Sequence, residues 1–188
     1  MIKLQHLALA SCLALGLSFP GASADLQAPA IPNFHQVNDH VFRGGQPPAE
    51  AWPGLARIGV KVVIDLRRED EHSSAAEAQA VRAAGMAYVN VPMKGVVAPE
   101  NDQVNKVLSV LNSPGPVFVH CKRGADRTGA VIACYRIEHD HWGNKQALKE
   151  AKSFGMAWDQ FGLKHFVSAF QPVPDRVAFD LSTLQQAQ

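Results

Sequence analysis

The sequence predicts an α/β fold with a mainly parallel central sheet flanked by helices, and three observations carry that prediction. Val60 to Leu66 (VKVVIDL) and Pro116 to His120 (PVFVH) are short apolar runs, rich in β-branched residues, of the kind buried on both faces in a parallel sheet. Segments with helical spacing lie between such runs, so strands and helices alternate along the chain. The chain has 188 residues, 47% of them hydrophobic, which suits one domain with enough apolar material for a core.

Charge and cysteine content narrow the functional classes. Eighteen Lys and Arg face seventeen Asp and Glu, a formal net charge of +1, which excludes a nucleic-acid partner held by overall charge. Anion recognition must therefore be local. Three cysteines are too few for a disulfide scaffold, and the apolar content excludes disorder.

The elements follow in order. Residues 1–24 read as a secretory signal peptide: Lys3 is the positive start, Leu7 to Leu17 the apolar run and Ala22-Ser23-Ala24 the small-residue cleavage site. That run is too short to span a bilayer permanently, so no stable membrane insertion is expected after cleavage, and the mature chain starts at Asp25 as a periplasmic or secreted protein. A rival reading takes Leu9-Ala10-Ser11-Cys12 as a lipoprotein cleavage site. Residues 25–33 form an extended leader, 34–171 the domain and 172–188 a Pro-containing tail. Asn38 to Arg43 is a strand ended by Gly44-Gly45-Gln46-Pro47-Pro48. Ala49 to Ile58 suits a short helix, Val60 to Leu66 a buried strand, and Ser73 to Ala84 a helix stopped by Gly85. Ala87 to Val91 is a strand stopped by Pro92, and Asp102 to Leu111 a helix with Val104, Val107, Leu108 and Leu111 on one face. Pro116 to His120 is the last strand, followed by a helix from Thr128 to His139 and two more near Lys145–Phe154 and Gln160–Phe170.

The chemistry is concentrated in His120-Cys121-Lys122-Arg123-Gly124-Ala125-Asp126-Arg127-Thr128-Gly129. A loop between a buried strand and a helix sits at the carboxyl end of a sheet, where α/β folds place ligands. Curling into a helix start, it directs several backbone N–H groups at one point and adds the positive end of the helix dipole. Lys122 to Arg127 thus form an oxyanion cradle, and the same donors favour the thiolate of Cys121 over the thiol. Arg127 can return a planar fork of donors to two phosphate oxygens. Gly124 lets the backbone curl, and Thr128 offers its hydroxyl to the sulfur.

HCKRGADRTG resembles the His-Cys-x5-Arg-Ser/Thr signature of the cysteine-dependent tyrosine and dual-specificity protein phosphatases. VFRGGQP, KVVIDLR, Pro92-Met93 and YRIEHDHWGNKQALKEAKSFG extend the likeness to the small atypical dual-specificity group, including exported bacterial members. The resemblance implies a tyrosine/dual-specificity phosphatase-like fold, with Cys121 as nucleophile, Arg127 as transition-state clamp, His120 tuning the thiolate and Thr128 helping the phosphocysteine intermediate break down. The expected substrate is a phosphorylated protein or a small phosphorylated molecule. No metal or other cofactor is expected, because Arg127 and the loop neutralise the charge. Rhodanese-type sulfur transfer also uses a Cys between strand and helix, but the Arg-Thr-Gly that follows argues against it.

A leaving oxygen needs a proton, which the family often takes from an Asp ahead of the helix preceding the signature strand. Asp102 is the first choice here and Glu100 the second, although Pro99-Glu100-Asn101-Asp102 is equally an ordinary helix start, where acids cap and complement the dipole. Asp65, Glu69 and Asp70 are read as mainly structural or solvated. Lys122 and Arg123 resemble loop cations of members acting on inositol phosphates, which keeps that substrate class open as the alternative; a non-catalytic phospho-ligand module is the other rival. Cys134 reads as an inert core thiol, too far along its helix to bridge Cys121. His139 and His141, two apart, do not read as a metal pair.

Overall fold

The structure is a computed structural model that describes residues 30–180 and Ser182. The segment read as a signal peptide, Cys12, most of the expected leader and the end of the tail lie outside the described residues. Five strands form one sheet in the order β1-β2-β5-β3-β4. They are β1 (His35–Gln36), β2 (Val41–Gly44), β3 (Val62–Asp65), β4 (Ala87–Asn90) and β5 (Val117–His120). β2, β5, β3 and β4 run parallel, and only β1 is antiparallel, on the edge. Among the described residues six α-helices flank the sheet: α1 (Trp52–Arg57), α2 (Ser74–Ala83), α3 (Asn101–Leu111), α4 (Asp126–Glu138), α5 (Asn144–Ser153) and α6 (Phe161–Ala169).

Strand alternation builds two cores. Phe42, Val63, Tyr88 and Phe118 face α1 and α2 with Trp52, Leu55, Ala78 and Val81. Val41, Val62, Ile64, Val89, Val117 and Val119 face the other way, against Val104, Leu108, Val131, Tyr135, Ala147 and Leu163 of α3 to α6. The expected fold class is therefore the observed one. β5 is the middle strand, buried on both faces, as its continuous apolar run requires.

Most element ends shift by a residue or two, and three differences from the sequence expectation bear on the site. The first expected strand starts at Val41 rather than Asn38, because the Asn38 Oδ1 accepts the His40 and Val41 amides at 3.0 and 2.8 Å and turns the chain there. α4 begins at Asp126, ahead of Thr128, so Arg127 lies inside its first turn. The tail from Pro172 folds back over α3 and α4: Arg176 pairs with Glu138 at 2.5 Å and the Phe179 amide donates to the Ser109 carbonyl. Cys134 is fully buried and burial pushes its thiol far up; it and Cys121 are both free, as expected.

The register fixes where function can sit. Gly44 pairs with His120, His120 with Asp65, and Asp65 with Asn90, so the carboxyl ends of the four parallel strands finish on one line. The loops after β2, β3, β4 and β5 gather there.

Candidate active site

The loop from β5 to α4 starts at Cys121, which is 2% exposed. Among the described residues, none of the six amide N–H groups from Lys122 to Arg127 has an acceptor. Unpaired amides are ordinary at a helix start, as for Asp126 and Arg127, but their continuation back through Lys122, Arg123, Gly124 and Ala125 marks an anion site. The carbonyls are held from behind. The Lys122 oxygen accepts the Gln46 amide at 3.1 Å, while the Gly124 oxygen accepts Arg43 Nη2 at 2.8 Å and Asn33 Nδ2 at 3.1 Å. In a trans peptide the carbonyl and the following N–H point in opposite directions, so the Arg123 and Ala125 amides face away from these donors. Gly124 is obligatory on two counts: its φ is +72°, and a Cβ there would lie 2.4 to 2.6 Å from the backbone of Gly44 and Gly45.

Arg127 is half of a fork. Its Nη1 and Nη2 donate to the two carboxylate oxygens of Glu71 at 2.6 and 2.8 Å. Nη1 also meets the carbonyls of Leu66 and Met93 at 3.3 and 3.2 Å, so the loops after β3 and β4 saturate that nitrogen. Nε donates to nothing among the described residues. The Nε/Nη2 edge is therefore the one left for an oxyanion, and Glu71 holds the opposite edge in place. Hydrogen bonding from Arg127 draws the Glu71 carboxyl down to about 2 against the opposing effect of desolvation, so Glu71 stays ionised.

The other expected residues divide. Thr128 is fully buried and its hydroxyl has no partner among the described residues, as suits a group that serves the sulfur or what it carries. Lys122 is exposed, but Arg123 and Asp126 are paired with each other at 2.6 Å and Asp126 also accepts the Ala157 amide. With their side chains paired, Arg123 and Asp126 offer an anion their backbone N–H groups, while the Lys122 ammonium stays at the surface. No hydrogen bond joins His120 to Cys121. The His120 ring lies on the α1–α2 face, stacked on Phe118, with Nε2 2.9 Å from Glu77 Oε1 and 3.9 Å from Asp65 Oδ1. The thiolate-tuning role expected of His120 therefore has no hydrogen bond to the sulfur behind it, and the ring lies against two buried acids instead.

Asp102 lies exposed in the first turn of α3 and Glu100 immediately precedes that helix; neither is bonded to Cys121 or Arg127. Gln103 ties this segment to the site, donating to the Pro92 carbonyl at 2.6 Å beside Met93. Asp65 is structural, as expected. Despite the desolvation of its site, His120 and Arg67 hold its carboxyl below the usual range, and it accepts from Arg67 and Tyr88. Glu69 accepts the Ser74 amide and Asp70 pairs with Arg68, both at the surface. Oxygen and nitrogen donors of Asp65, His72 and Glu77 converge, but Arg67 already bridges the two carboxylates and supplies the positive charge there. Sequence reasoning missed Glu71 and Arg43. The order of strands was the lacking signal, since it sets the loop after β3 and the end of β2 on either side of β5.

Loop and sheet together have the arrangement of the cysteine-dependent tyrosine and dual-specificity phosphatases, the class that HCKRGADRTG suggested. A family model described as DSP-PTPase phosphatase fused to NAD+ kinase matches residues 27–165, and the chain belongs to that phosphatase family. It is similar to the dual specificity protein phosphatase TpbA of Pseudomonas aeruginosa, 30% identical over 132 residues, covering 65% of this chain and 55% of that relative. The chain thus spans about half the length of TpbA. It is also similar to the inositol diphosphatase DSP3 of Arabidopsis thaliana, 28% identical over 158 residues, covering 80% of this chain and 75% of the relative. A crystal structure of a Cys-to-Ser variant of P. aeruginosa TpbA with pTyr matches with a TM-score of 0.62 and 26% identity, over 82% of this chain and 89% of that one.

The Arg127–Glu71 pair has a testable pH signature. Its folded carboxyl value of about 2 lies below the ordinary 4.5, so the pairing stabilises the fold fully above pH 4.5 and is lost as pH falls towards 2. Wild type should melt above Glu71→Gln at pH 7, and the gap in Tm should close as the pH is lowered through that window. A gap independent of pH would contradict the pairing.

Proposed function

We propose that the protein is an exported phosphatase that hydrolyses phosphate monoesters through a phosphocysteine intermediate. The observation that supports this most strongly is the run of six unpartnered amides between a buried Cys121 and an Arg127 with one open edge. The Cys121 thiolate attacks phosphorus in line and the bond to the leaving oxygen breaks. The amides of Lys122 to Arg127 and the Nε/Nη2 edge of Arg127 hold the equatorial oxygens. A proton for the leaving oxygen comes from the segment between Pro92 and Asp102, with Asp102 first and Glu100 second. Glu71, ionised on Arg127, is not that donor. Water then attacks phosphorus, its proton returns to the same acid, and the S–P bond breaks to release phosphate. Export rests on the reading of residues 1–24 as a signal peptide, with the periplasm as the compartment. Among the described residues no helix is long and apolar enough to cross a membrane.

The substrate reading favoured is a phosphorylated protein. Trp158 and Phe161, 80% and 67% exposed, form an edge-to-face pair 6.2 Å apart on the turn that Asp126 anchors through the Ala157 amide. Val96 and Val97 are exposed opposite, where Gly162 meets the Val97 backbone. This apolar rim suits side chains flanking a phosphorylated residue, a role in keeping with the pTyr seen on TpbA. Inositol phosphates are supported by the inositol diphosphatase relatives and would draw on the exposed Lys122, whereas Arg123 is paired with Asp126 at the surface. A phosphate-release panel tests this. Trp158→Ala should lower kcat/KM on a phosphotyrosine peptide about fivefold to tenfold, the worth of one aromatic contact, and leave an inositol polyphosphate unaffected. Turnover of the inositol polyphosphate alone would favour the second reading, and phosphate-ester binding with no release would favour the binding module.

A further inference from the structure

We infer that Arg43 is a positioning residue of the phosphate loop, a buried cation that turns the Gly124 carbonyl outward and serves as counter-charge to the Cys121 thiolate. The inference rests on the phosphocysteine reading above and assigns a role to the VFRGGQP segment that the mechanism leaves unused.

Arg43 is the third residue of β2, paired in register with Val119 of β5. Its side chain is on the same face as Val41 and Cys121, and it is only 1% exposed. Within that site Nη2 donates to the Gly124 carbonyl at 2.8 Å, and the guanidinium lies over the Phe154 ring, 4.2 Å from its centroid. Among the described residues, the buried Nε and Nη1 have no hydrogen-bond partner and no carboxylate lies within ion-pair distance of the guanidinium. Burying a guanidinium without an anion is expensive, so a fold that does it at the loop carrying the nucleophile has a use for the charge.

The charged groups that face Arg43 are few. Glu150 of α5 is committed to Arg136 of α4, with its Oε1 2.9 Å from Nη2. Arg136 itself repels Arg43, and His35 of β1 is a further neighbour held down by burial and by the cation. Cys121 is the remaining group in this set that can become negative. Desolvation draws Arg43 down to about 10, which still leaves it protonated at neutral pH. An ordinary structural bond to the Gly124 carbonyl would not need a charge, since the neutral Asn33 amide donates to the same oxygen at 3.1 Å. What Arg43 adds is charge, on the side of the loop opposite the amides.

The test separates charge from hydrogen bonding. In the full chain, the pH dependence of iodoacetamide alkylation at Cys121 is followed by peptide mapping, which distinguishes Cys12 and Cys134. Arg43→Gln and Arg43→Met remove the charge and the bond from Nη2, Arg43→Lys keeps the charge without the fork, and Asn33→Ala removes only the neutral bond. Both Arg43 variants should move the alkylation midpoint to higher pH by about one unit or more, with the acidic limb of the kcat/KM profile moving alongside, and Asn33→Ala should leave the midpoint unchanged. Arg43→Lys, which keeps the charge, should leave the midpoint close to wild type. A folded Arg43→Gln or Arg43→Met with the wild-type midpoint overturns the inference. If wild type releases no phosphate from any ester, the phosphatase reading fails separately, because alkylation needs no turnover.

Discussion

Cys121→Ser is expected to reduce phosphate release from an aryl phosphate to about a thousandth of wild type or less, with the melting temperature nearly unchanged. The substitution exchanges one small buried group for another and leaves the amides of Lys122 to Arg127 and the Arg127–Glu71 pair intact. Chemistry fails because a serine hydroxyl needs a base to remove its proton, and the one histidine beside it is turned towards Glu77 and Asp65 on the opposite face of the sheet. Binding should survive, so the variant should hold a phosphate ester that it does not turn over. Steady-state phosphate release and equilibrium binding of a fluorescent phosphopeptide check both halves. Residual activity above a hundredth of wild type would remove Cys121 from the nucleophile's role.

Arg127→Lys should lower kcat/KM by about 10²–10³-fold, comparable to removing an oxyanion donor from a preorganised site. An ammonium keeps the charge but cannot present one edge to phosphate while the other is fixed by Glu71 and by the carbonyls of Leu66 and Met93. The loss should fall mainly on kcat, because the fork matches the equatorial oxygens of the transition state more closely than those of the bound ester. A decrease of less than tenfold would mean that the loop amides carry the stabilisation alone.

The α/β alternation and the phosphate loop were legible because both are local. A β-branched run, a glycine and a helix start leave their marks within ten consecutive residues, and the match between VFVH and β5 follows from burial on both faces. What the sequence withheld depends on partners far apart in the chain. Glu71 meets Arg127 across 56 residues, and Arg43 meets Gly124 across 81. Both contacts require knowing that β5 lies between β2 and β3, which no periodicity reveals. Glu69 and Asp70 were singled out in this loop and Glu71 was not, because only the fold separates the carboxylate that faces inward from the two at the surface. Arg123 shows the converse. Its charge suggested phosphate binding, yet an acid three residues on, at the start of α4, takes it up.

The central claim is a double displacement at phosphorus, and its stereochemical course tests it most directly. A thiophosphate ester made chiral with oxygen isotopes should be hydrolysed with overall retention, since attack by Cys121 and attack by water each invert the centre. Inversion would mean that water attacks the ester in a single step, and would contradict a phosphocysteine intermediate on this loop.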